Sequence, residues 1–406
     1  MNSFQTLNKE QHAAAETLLG PAYVCAGPGT GKTHMLLHRI QHILEHTDAL
    51  PSHILCLTFS TAGVRSMKRK LHQLIGEKAE HVCIGTFDSF EKGMGKPKDQ
   101  FQYILVDEFE EIGFDQLKFL EHLMFGITGP NIFIVGDGDQ CIHQFHEAFD
   151  SGIRHLEQSF GIFSKFTLSK NHRSLRPLLN ATYHLIKNTP NRPAERTELE
   201  WQVGTGKEYS LPLVEHMHNL GQEFQQVAEK IAVLIKGGNA PHQMAVLFRE
   251  RSMANGFIPW LVHYGIPFFW NSPDQDILNT SGGYEEQNPE RVIVLSTIHD
   301  SKGLEFDHVF MPCCSKKYWE SAKDSTSDIS IQESVKKQFP TASVRKSFLR
   351  RQAYVGMTRA RKNLVLTYSG NSAGNHSFFI RELFDSEFYA FVLNPNIDVA
   401  AFDLGV

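Results

Sequence analysis

Between Tyr23 and Thr33 the chain reads Tyr-Val-Cys-Ala-Gly-Pro-Gly-Thr-Gly-Lys-Thr, an order of residue types that can grip phosphate. An apolar strand, Ala22 to Ala26, is expected to enter a turn made of Gly27, Pro28, Gly29, Thr30 and Gly31, whose backbone N–H groups can face inward on an anion. A helix from Thr33 onward presents its positive end to the same anion. Lys32 then reaches the outer phosphates of a nucleotide, and Thr33 offers a hydroxyl to Mg²⁺. Ala26 stands in the first position of the pattern G-x-x-x-x-G-K-[ST], a small steric change that leaves Gly29 and Gly31 in place. The competing reading is an ordinary Gly-rich turn, which Lys-Thr at this offset disfavours.

A second set of chemical groups lies downstream. The apolar run Phe101 to Val106 ends in Asp107 and Glu108. At the carboxyl end of a strand beside a phosphate loop, the first acid holds Mg²⁺ through water and the second can take a proton from an attacking water. A further apolar run, Ile132 to Val135, leads through Gly136 and Asp137 to Gln140. An amide both donates and accepts, so Gln140 can report on a terminal phosphate.

These groups need a scaffold. The chain has 406 residues, 41% hydrophobic and 21% charged, which are globular values for two or three domains. The formal net charge is −5, so a nucleic-acid partner must be met by a local basic groove. No apolar run approaches the roughly 20 residues of a membrane span, and the polar start is unlike a secretory leader. The six cysteines are scattered with no C-x-x-C spacing and read as reduced core residues, so a cytoplasmic location is expected. Apolar strands at Ile54–Phe59 and Val82–Phe87, alternating with helices, predict a parallel α/β sheet covered on both faces. Asn8 is a candidate helix N-cap with Gln11 just inside. Residues 187 to 210 read as a loop or hairpin entering a second domain, and Gln222–Ile235 as an amphipathic helix. Strands are expected at Met244–Phe248, Arg291–Leu295, His308–Met311 and Leu364–Tyr368, a solvated loop between Ser315 and Lys346, and a Phe-rich tail from Phe378 that either packs on the core or docks a partner.

Taken together, Gln11, AGPGTGKT, TFSTAG, GTFDSF, VDEFEE, VGDGDQ, KNHRS, AVLFR (Ala245–Arg249), STIHDSKGLEF (Ser296–Phe306) and YVGMTRAR (Tyr354–Arg361) resemble the successive motifs of the UvrD/Rep/PcrA-type superfamily I DNA helicases, over residues 5 to 368. The resemblance implies two RecA-like P-loop NTPase domains, 1–175 and 176–406, with ATP and Mg²⁺ in the cleft between them. It implies that Gln11 reads adenine and that His172 stands where a Tyr usually stacks on it. Lys32, Thr33, Asp107 and Glu108 would hold and activate the phosphates, with Thr33 and Asp107 serving the metal. Gln140 and Arg173 would meet the γ-phosphate, Glu305 would lie near the ribose, and Arg359 would be the arginine finger. Single-stranded DNA would cross Phe59, Thr86, His143, Phe145, Thr297 and His299.

Departures from the family pattern carry their own expectations. Glu110 replaces an amide that couples the ATP and DNA sites, and a carboxylate only accepts. Asp88 replaces a His beside DNA. Only 17 residues lie between Ser89 and Asp107, and 40 between Arg251 and Val292, too few for the family's two large insertions. The expected activity is therefore an ATP-dependent, DNA-stimulated translocase or helicase moving 3′ to 5′. The alternative is a DNA-sensing regulatory ATPase acting with a protein partner, such as a nuclease or a repair or defence factor. A dead scaffold and an unrelated small-molecule kinase fit the motif set less well.

Overall fold

The computed structural model describes residues 7–92, 101–125, 131–142, 148–190, 192, 196, 198–201, 212–271, 289–320 and 341–384. The chain forms two compact units, and it passes between them more than once. The first unit takes residues 1–173 and 193–202, the second 174–192 and 203–406.

In the first unit six parallel strands, β1 (Ala22–Ala26), β2 (Ile54–Thr58), β3 (Cys83–Thr86), β4 (Tyr103–Val106), β5 (Asn131–Gly136) and β6 (Ser164–Leu168), lie in the order β3-β2-β4-β5-β1-β6. Alternation along them divides the apolar side chains between two cores. Cys56, Leu105, Phe133 and Val135 face one, which includes Ala14 and Ala15 of helix α1 (Lys9–Glu16), Met35, Leu36 and Ile40 of α2 (Lys32–His46), and Met67 and Leu71 of α3 (Thr61–Ile75). Leu55, Leu57, Ile104, Val106, Ile132 and Ile134 face the other, shared with α4 (Phe87–Lys92), α5 (Phe114–Met124) and α6 (Ala148–Phe160). Both faces are covered, which is why the strands read as continuous apolar runs. Arg39 of α2 is fully buried, lies 4.0 Å from the centre of the Phe133 ring, and donates to the carbonyls of Ala15 and Thr17. It ties the first two helices to the sheet.

Two short parallel strands, β7 (Lys170–Asn171) and β8 (Glu200–Trp201), also belong to the first unit. Of the segment 187–210, expected as a loop or hairpin entering the second domain, residues 193–202 group with the first unit.

The second unit begins with α7 (Arg176–Ile186) and holds β9 (Leu213–Met217), α8 (Leu220–Lys236), β10 (Met244–Phe248), α9 (Ile258–His263), β11 (Phe268–Asn271), β12 (Ile293–Thr297), β13 (Phe306–Met311), α10 (Lys316–Trp319), α11 (Ala342–Met357), β14 (Ala360–Ser369) and α12 (Phe378–Phe384). Its sheet is parallel in the order β11-β12-β10-β13-β14-β9. Helix α8 buries Phe224, Val227, Ala228 and Ile231 at helical spacing against Met244, Val246 and Phe248. The described start of the Phe-rich tail packs on its own unit. Phe379 meets Trp319 ring to ring at 4.5 Å, and Glu382 takes two hydrogen bonds from Arg350. No described helix is long and apolar enough to cross a membrane.

Helix α2 carries His34, His38, His42 and His46 four residues apart, with ring centroids 4.5 Å apart for the first pair and 4.1 Å for the last. Burial lowers the pKa of His34, His38 and His42 from the ordinary imidazole value, as it does for His308 in the second unit. As pH falls through about 6.5, the unfolded chain takes up protons that the folded chain resists, so this contribution to stability is lost on acidification. Asp137, whose pKa burial pushes up to about 6, acts in the opposite sense. A variant comparison isolates the histidines: in thermal melts, replacing His38 and His42 together by Gln is expected to shrink the fall in Tm between about pH 7.5 and pH 5.5.

Candidate nucleotide site and nucleic-acid interface

Strand β1 ends at Ala26 and the chain turns through Gly27–Gly31 into α2. Gly29 and Gly31 have φ of +71° and +80°, a left-handed backbone that a Cβ would strain. They also have no room for one, since a Cβ on Gly29 would stand 2.6 Å from Asn171 Nδ2 and one on Gly31 2.5 Å from Gln11 Nε2. The Lys32 ammonium donates to the carbonyls of Ala26 (3.0 Å) and Gly27 (3.2 Å), and Thr30 Oγ1 to Gly27 (2.8 Å). The loop is thus held open by its own lysine, placed where a phosphate would replace carbonyl oxygens as its acceptor.

Thr33 Oγ1 donates to Asp107 Oδ2 at 2.8 Å, which joins the start of α2 to the end of β4. Glu108 follows with φ of +57°, unusual for a residue with a side chain, and its Oε2 accepts from Thr58 Oγ1 at 3.1 Å. Such backbone strain beside a candidate site is often retained for function. Glu110, the acceptor-only replacement of the family's amide, meets a donor. It is 4% exposed, and its Oε2 takes the backbone N–H of Asp137 at 2.8 Å. The Asp137 carboxylate accepts from Gln140 Nε2 (2.7 Å) and from the Asp139 N–H (3.0 Å). Burial pushes the Asp107 carboxyl above its usual range, against the Thr33 hydroxyl and Lys32 ammonium that pull it down. Burial likewise raises Asp137 to about 6, Lys32 lowering it while Asp139 and Glu110 push it up. An acid-rich pocket with a hydroxyl and a carboxylate oxygen side by side suits Mg²⁺, a hard cation that takes few protein ligands and fills its shell with water and phosphate oxygens.

Gln11 is 3% exposed and committed at both ends of its amide. Its Oε1 takes the Asn8 N–H in a capping box, and its Nε2 donates to the Thr30 carbonyl at 2.8 Å. His172, which is exposed, hydrogen bonds through its N–H to Gly29 O, and its ring contacts Asn8 Nδ2 at 3.1 Å. The two residues expected at adenine therefore meet at the same end of α1. The Arg173 Cβ stands close to Gly29, within 2.6 Å of where a Cβ there would lie.

In the second unit Arg359 is 2% exposed. Its guanidinium donates to Val355 O (3.0 Å), Leu304 O (3.4 Å) and Thr358 Oγ1 (3.0 Å). Glu305 is exposed and accepts from Arg361 at 3.2 Å.

Phe59 and Thr86 stand at the carboxyl ends of adjacent strands β2 and β3, with Phe59 half-buried 4.8 Å from the Phe87 ring. Asp88 is exposed nearby. Thr297 ends β12, where its Oγ1 donates to Asp300 at 2.7 Å, and His299 is exposed beside the same carboxylate. His143 and Phe145 lie outside the described residues.

Sequence reasoning missed three residues in the first unit. Asn171 is fully buried, donates from Nδ2 to Pro28 O at 2.7 Å and accepts the Arg173 N–H at 2.9 Å. It lay inside the KNHRS match and its amide was the available signal. Leu199 covers Gly27, and Arg196 covers Gly138. Neither has a local pattern to announce it. Asn171→Ala is expected to leave a carbonyl and an N–H unpaired, costing about 1–3 kcal/mol in urea unfolding and weakening the binding of a fluorescent nucleotide.

The UvrD/REP helicase N-terminal domain profile matches residues 7–94 and 91–161, and that of the UvrD-like helicase C-terminal domain matches 166–275 and 275–371. The chain is 22% identical to YjcD of Bacillus subtilis (strain 168) over 373 residues, covering 64% of this chain and 48% of YjcD. It is 22% identical to the ATP-dependent DNA helicase PcrA of Staphylococcus epidermidis over 394 residues, covering 68% of this chain and 53% of PcrA. It therefore spans about half the length of these relatives. Among solved structures, arterivirus nonstructural protein 10 (helicase) aligns with a TM-score of 0.43 and 13% identity over 89% of this chain and 61% of that one. With both domain profiles matched in order along the described α/β units, the chain belongs to the UvrD/REP helicase family.

Proposed function

We propose that the chain is an ATP-hydrolysing motor that works on single-stranded DNA. The observation that carries this reading is the junction of phosphate loop and acid strand in the first unit, where Thr33 Oγ1 and Asp107 Oδ2 lie 2.8 Å apart beside Lys32. The loop N–H groups and Lys32 bind the phosphates of ATP, Gln11 and His172 flank the base, and Glu108 accepts a proton from the attacking water. Thr33 and Asp107 would hold Mg²⁺, which would supply charge neutralisation at the phosphates. Gln140 and Arg173 orient the γ-phosphate. Arg359, from the second unit, exchanges its carbonyl acceptors for phosphate oxygens in the working state and so couples hydrolysis to the two RecA-like units, 1–175 and 176–406 by motif. DNA bases stack at Phe59 and, by motif position, Phe145, with Thr86, His143, Thr297 and His299 at the backbone. Movement runs 3′ to 5′ by family analogy. The short gaps before Asp107 and Val292 favour one second reading, a DNA-sensing ATPase that relies on a partner protein for strand separation.

Steady-state ATPase measured with and without single-stranded DNA tests both readings. Stimulation by DNA is expected, with Arg359→Ala lowering kcat by about 10³-fold or more and Lys32→Ala abolishing turnover. Turnover unaffected by DNA would refute a motor. Duplexes with 3′ or 5′ tails then separate the two readings: unwinding only from a 3′ tail supports the autonomous helicase, and none from either supports the partner-dependent ATPase.

A further inference from the structure

Arg196 arrives in the first unit on the returning segment, 56 residues beyond Gln140 in sequence. Its guanidinium is 4% exposed, reaches Asp150 Oδ2 of α6 at 2.7 Å and lies 3.4 Å from Asp139 Oδ1. It presses so closely on the backbone of Gly138 that a Cβ there would stand 1.9 Å from Nη2. The Cys25 thiol at the end of β1 lies against it as well. Burial works against the charge, yet Asp139 and Asp150 outweigh it and raise the arginine's pKa above its ordinary value. A planar fork with fixed donors suits this task, because it can hold two carboxylates and a turn in one geometry where an ammonium supplies only a point charge.

The turn so held is the one that carries Gln140. Asp137, Gly138, Asp139 and Gln140 are pinned from one side by Glu110, which takes the Asp137 N–H, and from the other by Arg196. Downstream of Arg196, Leu199 lies on Gly27 of the phosphate loop and Trp201 pairs with Asn171. We propose that Arg196 is a positioning residue for hydrolysis, acting through the Gly138–Gln140 turn to aim the Gln140 amide at the terminal phosphate. The proposal rests on the ATPase reading above. It differs from a packing role in what it predicts: the chemical step should suffer while ATP binding does not, and the effect should vanish when the amide it aims is removed.

The test compares DNA-stimulated ATPase of the full chain with that of Arg196→Ala, Arg196→Lys, Gln140→Ala and the Arg196→Ala/Gln140→Ala pair. Expected is a fall in kcat of about 20-fold or more for Arg196→Ala and about 5-fold or more for Arg196→Lys, with KM for ATP within about 3-fold of the wild type. In the Gln140→Ala background the arginine substitution should cost less than about 3-fold more. Loss through KM alone, full additivity in the double variant, or kcat within about 2-fold of wild type in either arginine variant would overturn the proposal. If Arg196→Ala fails to fold, Arg196→Lys decides by the same kcat and KM criteria. A wild-type chain without turnover would instead remove the ATPase reading itself and this proposal with it, so the two failures are distinguishable.

Discussion

Four buried carboxylates crowded at one edge of a sheet are the constraint around which the first unit is arranged. Asp107, Glu110, Asp137 and Asp139 are each under 5% exposed at the ends of β4 and β5, where Lys32 acts on Asp107 and Asp137 and Arg196 on Asp139. Isolated buried charge is costly, and it is tolerated when paired, hydrogen bonded or matched to a metal. Backbone N–H groups share the load here, with those of Asp137, Asp139 and Glu108 each donating to a carboxylate of the cluster.

Parallel strands explain why this chemistry collects in one place. In such a sheet every strand points its carboxyl end to the same edge, so the loops after β1, β2, β4 and β5 meet there without long excursions. Thr58 at the end of β2 touches Glu108 after β4, and Glu110 touches Asp137 after β5. Parallel pairing in the second unit likewise sets Thr297 at the end of β12 and the segment after β10 on one edge.

The legible parts of the molecule were those written locally. The phosphate loop is contiguous because two glycines and a lysine must alternate within a few residues, and α8 shows its apolar face at a fixed spacing because one side of a helix is buried. Strands covered on both faces were visible as apolar runs. What escaped was non-local or too short to have a period. Strands β7 and β8 are two residues each, and β9 has mixed exposure at the rim of its sheet. Arg196 finds Asp150 46 positions away in sequence, a pairing that no composition or spacing rule announces. The partner of Glu110 was equally out of reach: the backbone N–H of Asp137, which needs only an acceptor, lies 27 positions away in sequence.

Because the polypeptide leaves the first unit after 173, comes back at 193 and departs again after 202, three covalent crossings link the two lobes instead of one. Exchange of the first 173 residues alone between related genes would transplant a lobe that lacks Arg196 and β8. The covalent order of the chain thus makes the first lobe depend on residues that follow the start of the second.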